Sequence, residues 1–202
     1  MKKRLGSIPL VYPVPIVLIG AYVDSRANFA TLGDCAVMGL KPALVAVSLS
    51  ETHFTTRGIK ATHRFSINIP STAMLDRVDF CGIVSGRDVD KSLLFSVIRD
   101  TPDGPPLIEE CPINLDCRVL DEIAVQHRNI FVAEVVESLV AEHLVPQDGA
   151  DRRLPAMDQV DPILYALDNR YYRAGSAIGL GYEIGKRVIA PRLHRAESGN
   201  DP

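Results

Sequence analysis

The sequence predicts a mainly β domain with a few helices, folded as a closed or nearly closed barrel that carries the helices on its outside. Short apolar and β-branched segments occur along the whole chain, whereas helical patterns are few and short. The 202 residues suffice for one well-buried domain and hardly for two. We therefore expect a single domain over residues 1–190, followed by a polar tail over residues 191–202.

The first strand candidates lie in the N-terminal third of the chain. Residues 10–23 are apolar and rich in β-branched side chains up to the polar turn at Asp24 and Ser25, which predicts a buried strand. Two further short apolar runs, at residues 43–49 and 65–69, are each bounded by a proline. We expect both to be half-buried or buried strands.

The clearest strand pattern is the strict alternation of apolar and polar residues at 113–119, which predicts a strand with one solvent-exposed face. The alternation resumes at residues 123–125, and a further apolar run spans residues 130–136. Residues 127–129 between them are either a turn or a bulge, because periodicity does not decide. A last strand is expected at residues 163–167.

Three short helices are expected between these strands. One begins at Thr52 or His53 and runs to residue 59, a second is capped by Ser71 and runs to about residue 80, and a third spans residues 90–98. The glycine-rich residues 179–186 match neither a dinucleotide fingerprint nor a Walker loop, and so predict a turn.

Composition and charge exclude several classes of protein. The net charge of −3, without a long basic run, argues against a nucleic-acid-binding protein. The N-terminal apolar run contains Pro13 and Pro15 and is too short to span a bilayer, so we expect neither a targeting segment nor a membrane anchor. Four scattered cysteines favour reduced thiols in a cytoplasmic protein, and five dispersed histidines predict no metal site.

Four polar clusters at the ends of predicted strands are the candidate functional segments. They are rich in hydroxyls and contain one or two cations each, a combination that suits a phosphorylated cofactor. Each is weak evidence alone, because the same residue types cap helices and form turns. The clusters are residues 26–35, 48–59, 85–92 and 125–131.

Taken in order, three of these segments resemble a known family. The runs PVPIVLIGAYVDSRANFATLGDC, PALVAVSLSETHFTTRGIKATHRFSINIP and SGRDVDK are similar to the flavin reductase and flavoredoxin family, whose members adopt the FMN-binding split barrel. The resemblance covers roughly residues 8–175. It implies an FMN-dependent oxidoreductase that receives a hydride from NADH or NADPH and passes electrons to a flavin, a ferric complex or a partner protein.

The same resemblance leaves two alternatives open and implies an assembly. One alternative is a flavoredoxin-like electron carrier that holds FMN without nicotinamide turnover, and the other is an FMN-binding module without turnover. Members of the family are typically homodimers, so a homodimer is expected. Because the hydride moves directly between two rings, no catalytic side chain is expected.

The resemblance also implies cofactor-binding residues. Asn28 and Thr31 are placed in a loop after the first long strand, against the flavin, although Asn28 alone would be taken as an ordinary turn asparagine. Ser48 and Thr55 match hydroxyl positions near the flavin and its phosphate. Thr55 would open a helix whose N-terminal amides favour an anion, or would be a simple first-turn threonine.

Three further positions complete the set. Lys91 matches a cation beside the cofactor, or is a solvated lysine, and His127 matches a histidine near the isoalloxazine ring, or is a turn histidine. Asp34 stands where several relatives carry an aromatic residue near the flavin. Because a carboxylate cannot stack on the ring and opposes the negative charge of a reduced flavin, Asp34 puts flavin affinity in question.

Overall fold

Antiparallel strands are the main secondary structure of the chain, which a computed structural model describes over residues 1–145 and 154–187. The strands are β1 (Val14–Pro15), β2 (Val17–Val23), β3 (Arg26–Leu32), β4 (Cys35–Leu40), β5 (Ala43–Ser50), β6 (Arg64–Ile69), β7 (Val97–Ile98), β8 (Leu107–Ile108), β9 (Ile113–Val125), β10 (Arg128–Val140), β11 (Ile163–Ala166) and β12 (Arg170–Arg173). The helices are α1 (Phe54–Thr62), α2 (Leu75–Ile83) and α3 (Met157–Val160), with short 3-10 turns at Thr72–Met74, Lys91–Leu94, Glu142–Leu144 and Ile184–Arg187.

Seven of the strands form one sheet in the order β3, β2, β6, β9, β10, β5, β4, and every neighbouring pair is antiparallel. Strands β1, β11 and β12 form a second sheet, and β7 pairs with β8. The β9 and β10 strands, each of 13 residues, form one long hairpin. None of the helices in the described ranges is long and apolar enough to cross a bilayer.

Two apolar cores lie on opposite faces of this sheet. We call them the inner core, to which α1 contributes Ile59, and the outer core, which lies between the sheet and α2. Strand β2 serves both, since Ile19 points into the inner core and Leu18 into the outer one. A strand buried on both faces reads as a continuous apolar run, which explains why its sequence lacks alternation.

The predicted fold class is confirmed, since the protein is rich in strands and its few helices pack against the sheet. Two predictions of detail are wrong. Residues 10–13 are exposed and belong to no strand, because strand pairing begins at Val14. Residues 90–98 form no α-helix: Lys91–Leu94 are a single 3-10 turn, capped where the Asp90 carboxylate accepts a hydrogen bond from the Ser92 amide at 3.1 Å, and the chain then extends into β7.

A third correction affects the candidate site. Asn28 and Thr31 lie on strand β3, not in a loop after the first long strand. The preceding residues Asp24 and Ser25 form a tight turn with positive φ angles of 49° and 67°, so the chain returns directly as a paired strand.

Residues 127–129 are resolved as the end of a hairpin turn and the start of β10. The polar tail at residues 191–202 lies outside the described residues.

The seating of α1 against β2 depends on the absence of a side chain at Gly58. A Cβ atom there would lie 2.5 Å from the Tyr22 carbonyl oxygen and 2.8 Å from Val23 Cγ2. Since that oxygen belongs to a paired strand, Gly58→Ala should lower the free energy of unfolding by about 1 to 3 kcal/mol, as overpacked cores do. Chemical denaturation of the ligand-free protein measures this difference.

Gly82→Ala is the matched control. It adds the same atom to another helix, where the nearest neighbour, Thr31 Cβ, would be 3.5 Å away. The free energy of unfolding should then stay unchanged or rise by up to about 1 kcal/mol, because alanine is the better helix former. Equal destabilisation by both substitutions would contradict the close packing of α1.

Candidate functional site

A polar cavity of about 290 Å³ opens between β3, the start of α1 and the segment that follows α2. Hydroxyl, amide and cationic side chains dominate its wall. None of the described residues that line it has a carboxylate. The lining residues are Asn28, Ala30, Thr31, Thr52, His53, Phe54, Thr55, Cys81, Gly82, Ile83, Val84, Ser85, Gly86, Arg87 and Lys91.

Lys91 supplies a buried positive charge to this cavity. The residue is 3% exposed, and its Nζ donates a hydrogen bond to the Cys81 carbonyl oxygen at 2.7 Å. Among the described residues, no carboxylate lies within ion-pair distance of it. Burial lowers the pKa of Lys91, since the charged form has lost its water. A cation in this position favours an anionic ligand.

The first turn of α1 forms the opposite wall. It contains no acidic residue, and its N-terminal peptide groups favour negative charge. The second residue of the helix, Thr55, is 1% exposed, and its Oγ1 accepts a hydrogen bond from Asn28 Nδ2 at 2.8 Å. This bond ties the helix to β3, and the Thr31 hydroxyl similarly ties β3 to α2 by donating to the Val78 carbonyl.

His53 precedes α1 and lines the same cavity as Lys91. Burial lowers its pKa most, and the positive charges of Arg128 and Lys91 lower it further. The imidazole is therefore neutral at pH 7 and can both donate and accept a hydrogen bond. The sequence placed His53 at a helix start and within the candidate segment 48–59, but not among the predicted site residues.

The cavity rim is cationic as well. The guanidinium carbons of Arg26 and Arg87 lie 5.7 and 5.9 Å from the centroid of the Phe54 ring, and Arg26 donates to the Gly86 carbonyl at 2.6 Å. A Cβ atom at Gly86 would collide with Asn28 Oδ1 and lie 2.9 Å from Phe54 Cδ1. Glycine therefore keeps this wall close to β3. Arg87 was missed as a site residue, although its cluster was identified.

A second polar group lies where β10 and the segment between β3 and β4 meet β5. Arg128 Nε donates to Ser48 Oγ at 2.8 Å, and Arg128 Nη2 donates to the Ser48 carbonyl at 2.5 Å and to the Asp34 carboxylate. The positive charge of Arg128 therefore balances the negative charge of Asp34, for which the sequence indicated no partner. We call these three residues the Arg128 cluster. Arg128 was not among the predicted site residues.

The seven predicted residues consequently fall into three places. Four of them line the 290 Å³ cavity, two belong to the Arg128 cluster, and one stands apart. His127 is the last of these: its side chain is 89% exposed at the tip of the β9–β10 hairpin, with Nδ1 3.4 Å from Glu51 Oε1. The cavity residues are Asn28, Thr31, Thr55 and Lys91, and the cluster residues are Asp34 and Ser48.

An aromatic pocket of about 400 Å³ adjoins the cavity and shares Gly82 and Ile83 with it. Tyr165 and Tyr171 stand in its wall with their ring centroids 5.5 Å apart. Asp34 lines the same pocket, so the pocket connects the polar cavity with the Arg128 cluster. We call the adjoining cavity and pocket, together with the Arg128 cluster at Asp34, the trough; Lys91 makes the cavity end cationic, and the pocket beyond it is partly apolar.

The chemistry available in this trough is binding chemistry. Over the described ranges, no three histidine, cysteine or acidic side chains are grouped so that they could hold a metal ion. Burial raises the pKa of the Cys81 thiol, beside the cavity, to about 11, and does the same for Cys35. Both thiols are protonated at neutral pH and are poor nucleophiles. The trough can hold a phosphate at Lys91 and an extended, partly apolar group beyond it.

Comparison with known proteins is consistent with this geometry. The family model for a flavin reductase like domain matches residues 10–174. Flavoredoxin from Methanosarcina acetivorans is 32% identical, with a TM-score of 0.85 over 94% of this chain and 98% of its own. Flavoredoxin from Desulfovibrio vulgaris (Miyazaki F) is also 32% identical, with a TM-score of 0.83 over 92% of this chain and 100% of its own.

A more distant structure shows the architecture. A protein from Shewanella frigidimarina, assigned as a flavin reductase with a split barrel domain, is 15% identical and superposes with a TM-score of 0.74 over 85% of this chain and 87% of its own. The seven-stranded antiparallel sheet with helices packed against it is therefore the split barrel. With the family model matched across most of its length, the chain belongs to the flavin reductase-like family.

Proposed function

We propose that this protein is an FMN-binding oxidoreductase that takes a hydride from NADH or NADPH and passes electrons on to a flavin, a ferric complex or a partner protein. The observation that supports it most is the buried ammonium of Lys91, which faces a cavity whose described lining residues include no carboxylate. A phosphate dianion would supply the missing counter-charge. FMN has such a phosphate at one end and a planar ring at the other.

The residues present fit FMN. Lys91 and the first turn of α1 would hold the phosphate, with the Thr55 hydroxyl beside it. Thr31 and Asn28 would hold the middle of the cofactor against β3. Ser48 in the Arg128 cluster and His127 on the hairpin would stand nearer the ring, as the family resemblance implies.

When bound, FMN would supply the capacity to accept and release two electrons. The protein's side chains would bind and orient the cofactor and neutralise its negative charge, because no group of the described site is placed as a nucleophile or general base. The neutral imidazole of His53, between the two ends of the trough, can donate a hydrogen bond to the cofactor without adding charge.

A flavoredoxin-like electron carrier is the second candidate. It is favoured by the two flavoredoxin structures, each 32% identical to this chain and matched over more than nine tenths of its length. The sequence has no glycine fingerprint for a dinucleotide, so a nicotinamide donor would have to approach from the open side of the trough. Both candidates require FMN, and they differ in the electron donor.

We propose further that the protein is a homodimer. Val37, Met38 and Leu40 are 69%, 60% and 83% exposed on β4, which ends the seven-stranded sheet. An exposed apolar edge strand is a liability for a monomer and is usually covered. Light scattering should give twice the chain mass of 22.1 kDa, and Met38→Glu should shift it to the monomer. A monomeric wild type would contradict the proposal.

We propose a cytoplasmic location because the cysteines are unpaired. All four are free thiols in the structure, and three of them are buried. Proteins that keep several unpaired cysteines are typical of reducing compartments.

Anaerobic visible spectroscopy tests the proposed activity. Purified protein loaded with FMN should bleach within seconds when NADH or NADPH is added, because hydride transfer removes the absorbance of the oxidised ring. Binding of FMN without bleaching by either nucleotide would favour the electron carrier. Failure to retain any FMN would contradict both candidates.

Replacement of Lys91 tests the phosphate site. Lys91→Met should weaken FMN binding about 10- to 100-fold, since hydrogen bonds to charged groups contribute about 1.5 to 3 kcal/mol. The melting temperature of the ligand-free variant should be unchanged or higher, because a buried charge has been removed. Lys60→Met, which removes a half-exposed lysine paired with Glu122 at 2.6 Å, should leave FMN affinity unchanged.

The lowered pKa of Lys91 also predicts the pH dependence of binding. Between that pKa and the ordinary value of 10.5 the unfolded chain holds the extra proton, so the ligand-free protein gains stability as pH rises through this range. The phosphate needs the protonated lysine, so FMN affinity should fall over the same range. Lys91→Arg should abolish the decline, because arginine does not titrate there. An identical decline in both proteins would contradict the assignment.

A further inference from the structure

The Arg128 cluster is built more elaborately than an ordinary surface ion pair. One guanidinium makes three contacts, to the hydroxyl and carbonyl of Ser48 and to the Asp34 carboxylate. It therefore bridges β10, β5 and the segment between β3 and β4. The guanidinium is held in one orientation, although the Arg128 and Asp34 side chains are 44% and 60% exposed.

The cluster also stands at a defined place relative to Lys91. Lys91 lines the phosphate cavity together with His53, Gly82 and Ile83. Asp34 itself lines the aromatic pocket that shares Gly82 and Ile83 with the phosphate cavity. An elongated ligand held by its phosphate at Lys91 and extending from this cavity into the aromatic pocket would come beside Asp34, the partner of Arg128.

We propose that Arg128 is the cation that stabilises the negative charge of the reduced flavin, and that Asp34 both orients it and attenuates its charge. The proposal rests on the proposed function, because it requires FMN in the trough. A hydride carries two electrons and one proton, so its transfer from the nicotinamide adds one negative charge to the flavin ring. A fixed guanidinium beside the ring favours that product over the oxidised form.

Asp34 acquires a role from the same reasoning. A carboxylate alone at this position would disfavour the reduced flavin, whereas paired with Arg128 it leaves a cluster of zero net charge. The midpoint potential of the bound flavin is then set by the balance of two opposite charges. Both side chains are half-exposed, so solvent screens them and the effect of each is moderate.

Potentiometric titration of the FMN-loaded protein tests this inference. The potential of bound relative to free FMN measures the ratio of the affinities for reduced and oxidised cofactor. Arg128→Gln should lower that ratio about tenfold, which for a two-electron couple corresponds to about 30 mV more negative. Asp34→Asn should raise the ratio by a similar factor, and the double variant should return toward the wild type.

Two controls separate this role from a structural one. Arg118→Gln breaks another ion pair of the β9–β10 hairpin, to Glu134 at 2.6 Å. That ion pair lies about 20 Å from Arg128 along the strand, at a rise of about 3.3 Å per residue, so the variant should leave the potential unchanged. Arg128→Lys keeps the charge but loses the fork of contacts, and should stay near the wild-type potential. The melting temperature of each ligand-free variant reports any loss of folding independently.

The measurements distinguish a failure of the role proposed for Arg128 from a failure of the proposed function. If the wild type binds FMN and Lys91→Met weakens that binding, but Arg128→Gln, Asp34→Asn and Arg118→Gln all share the wild-type potential, the role of Arg128 is overturned and the proposed function stands. If the wild type does not bind FMN, the proposed function itself fails. A lower melting temperature for Arg128→Gln with an unchanged potential would show that the ion pair is only structural.

Discussion

The ammonium of Lys91 is almost completely withdrawn from water, and its only close partner in the described part of the chain is one carbonyl oxygen. Burial of a charge without a counter-charge costs free energy, and the lowered pKa of Lys91 expresses that cost. The arrangement becomes favourable when an anion enters the cavity. The absence of carboxylates from the described lining and from the first turn of α1 keeps the space available for such a ligand.

The split barrel positions this charge through a few long-range ties. Strand β3 is held to α1 by the bond from Asn28 to Thr55, and to α2 by the bond from Thr31 to the Val78 carbonyl. The close approach at Gly58 seats α1 directly on β2. The three walls of the cavity are thus fixed by the same packing that forms the two cores, so the site is preorganised before any ligand binds.

The sequence predicted the strand-rich fold and most strands, because period-two patterns and apolar runs are local signals. Strand β3 was missed since Asn28 and Thr31 interrupt its apolar pattern, and both are satisfied by groups 27 and 47 residues away. The family resemblance named four residues that line one cavity in the structure. Without it, Lys91 would have been interpreted as a solvated lysine on the surface. Arg128 was placed only within the candidate segment 125–131 and not among the predicted site residues, since its partners Ser48 and Asp34 lie 80 and 94 residues away along the chain.

Comparison of FMN with riboflavin, which has the same ring but no phosphate, isolates the contribution of the Lys91 cavity. Isothermal titration of the ligand-free protein with each compound gives the two dissociation constants under identical conditions. If the cavity holds the phosphate, FMN should bind about 100-fold more tightly, equivalent to about 2.7 kcal/mol. Equal affinity for the two compounds would show that the phosphate is not bound there and would contradict the assignment of the site.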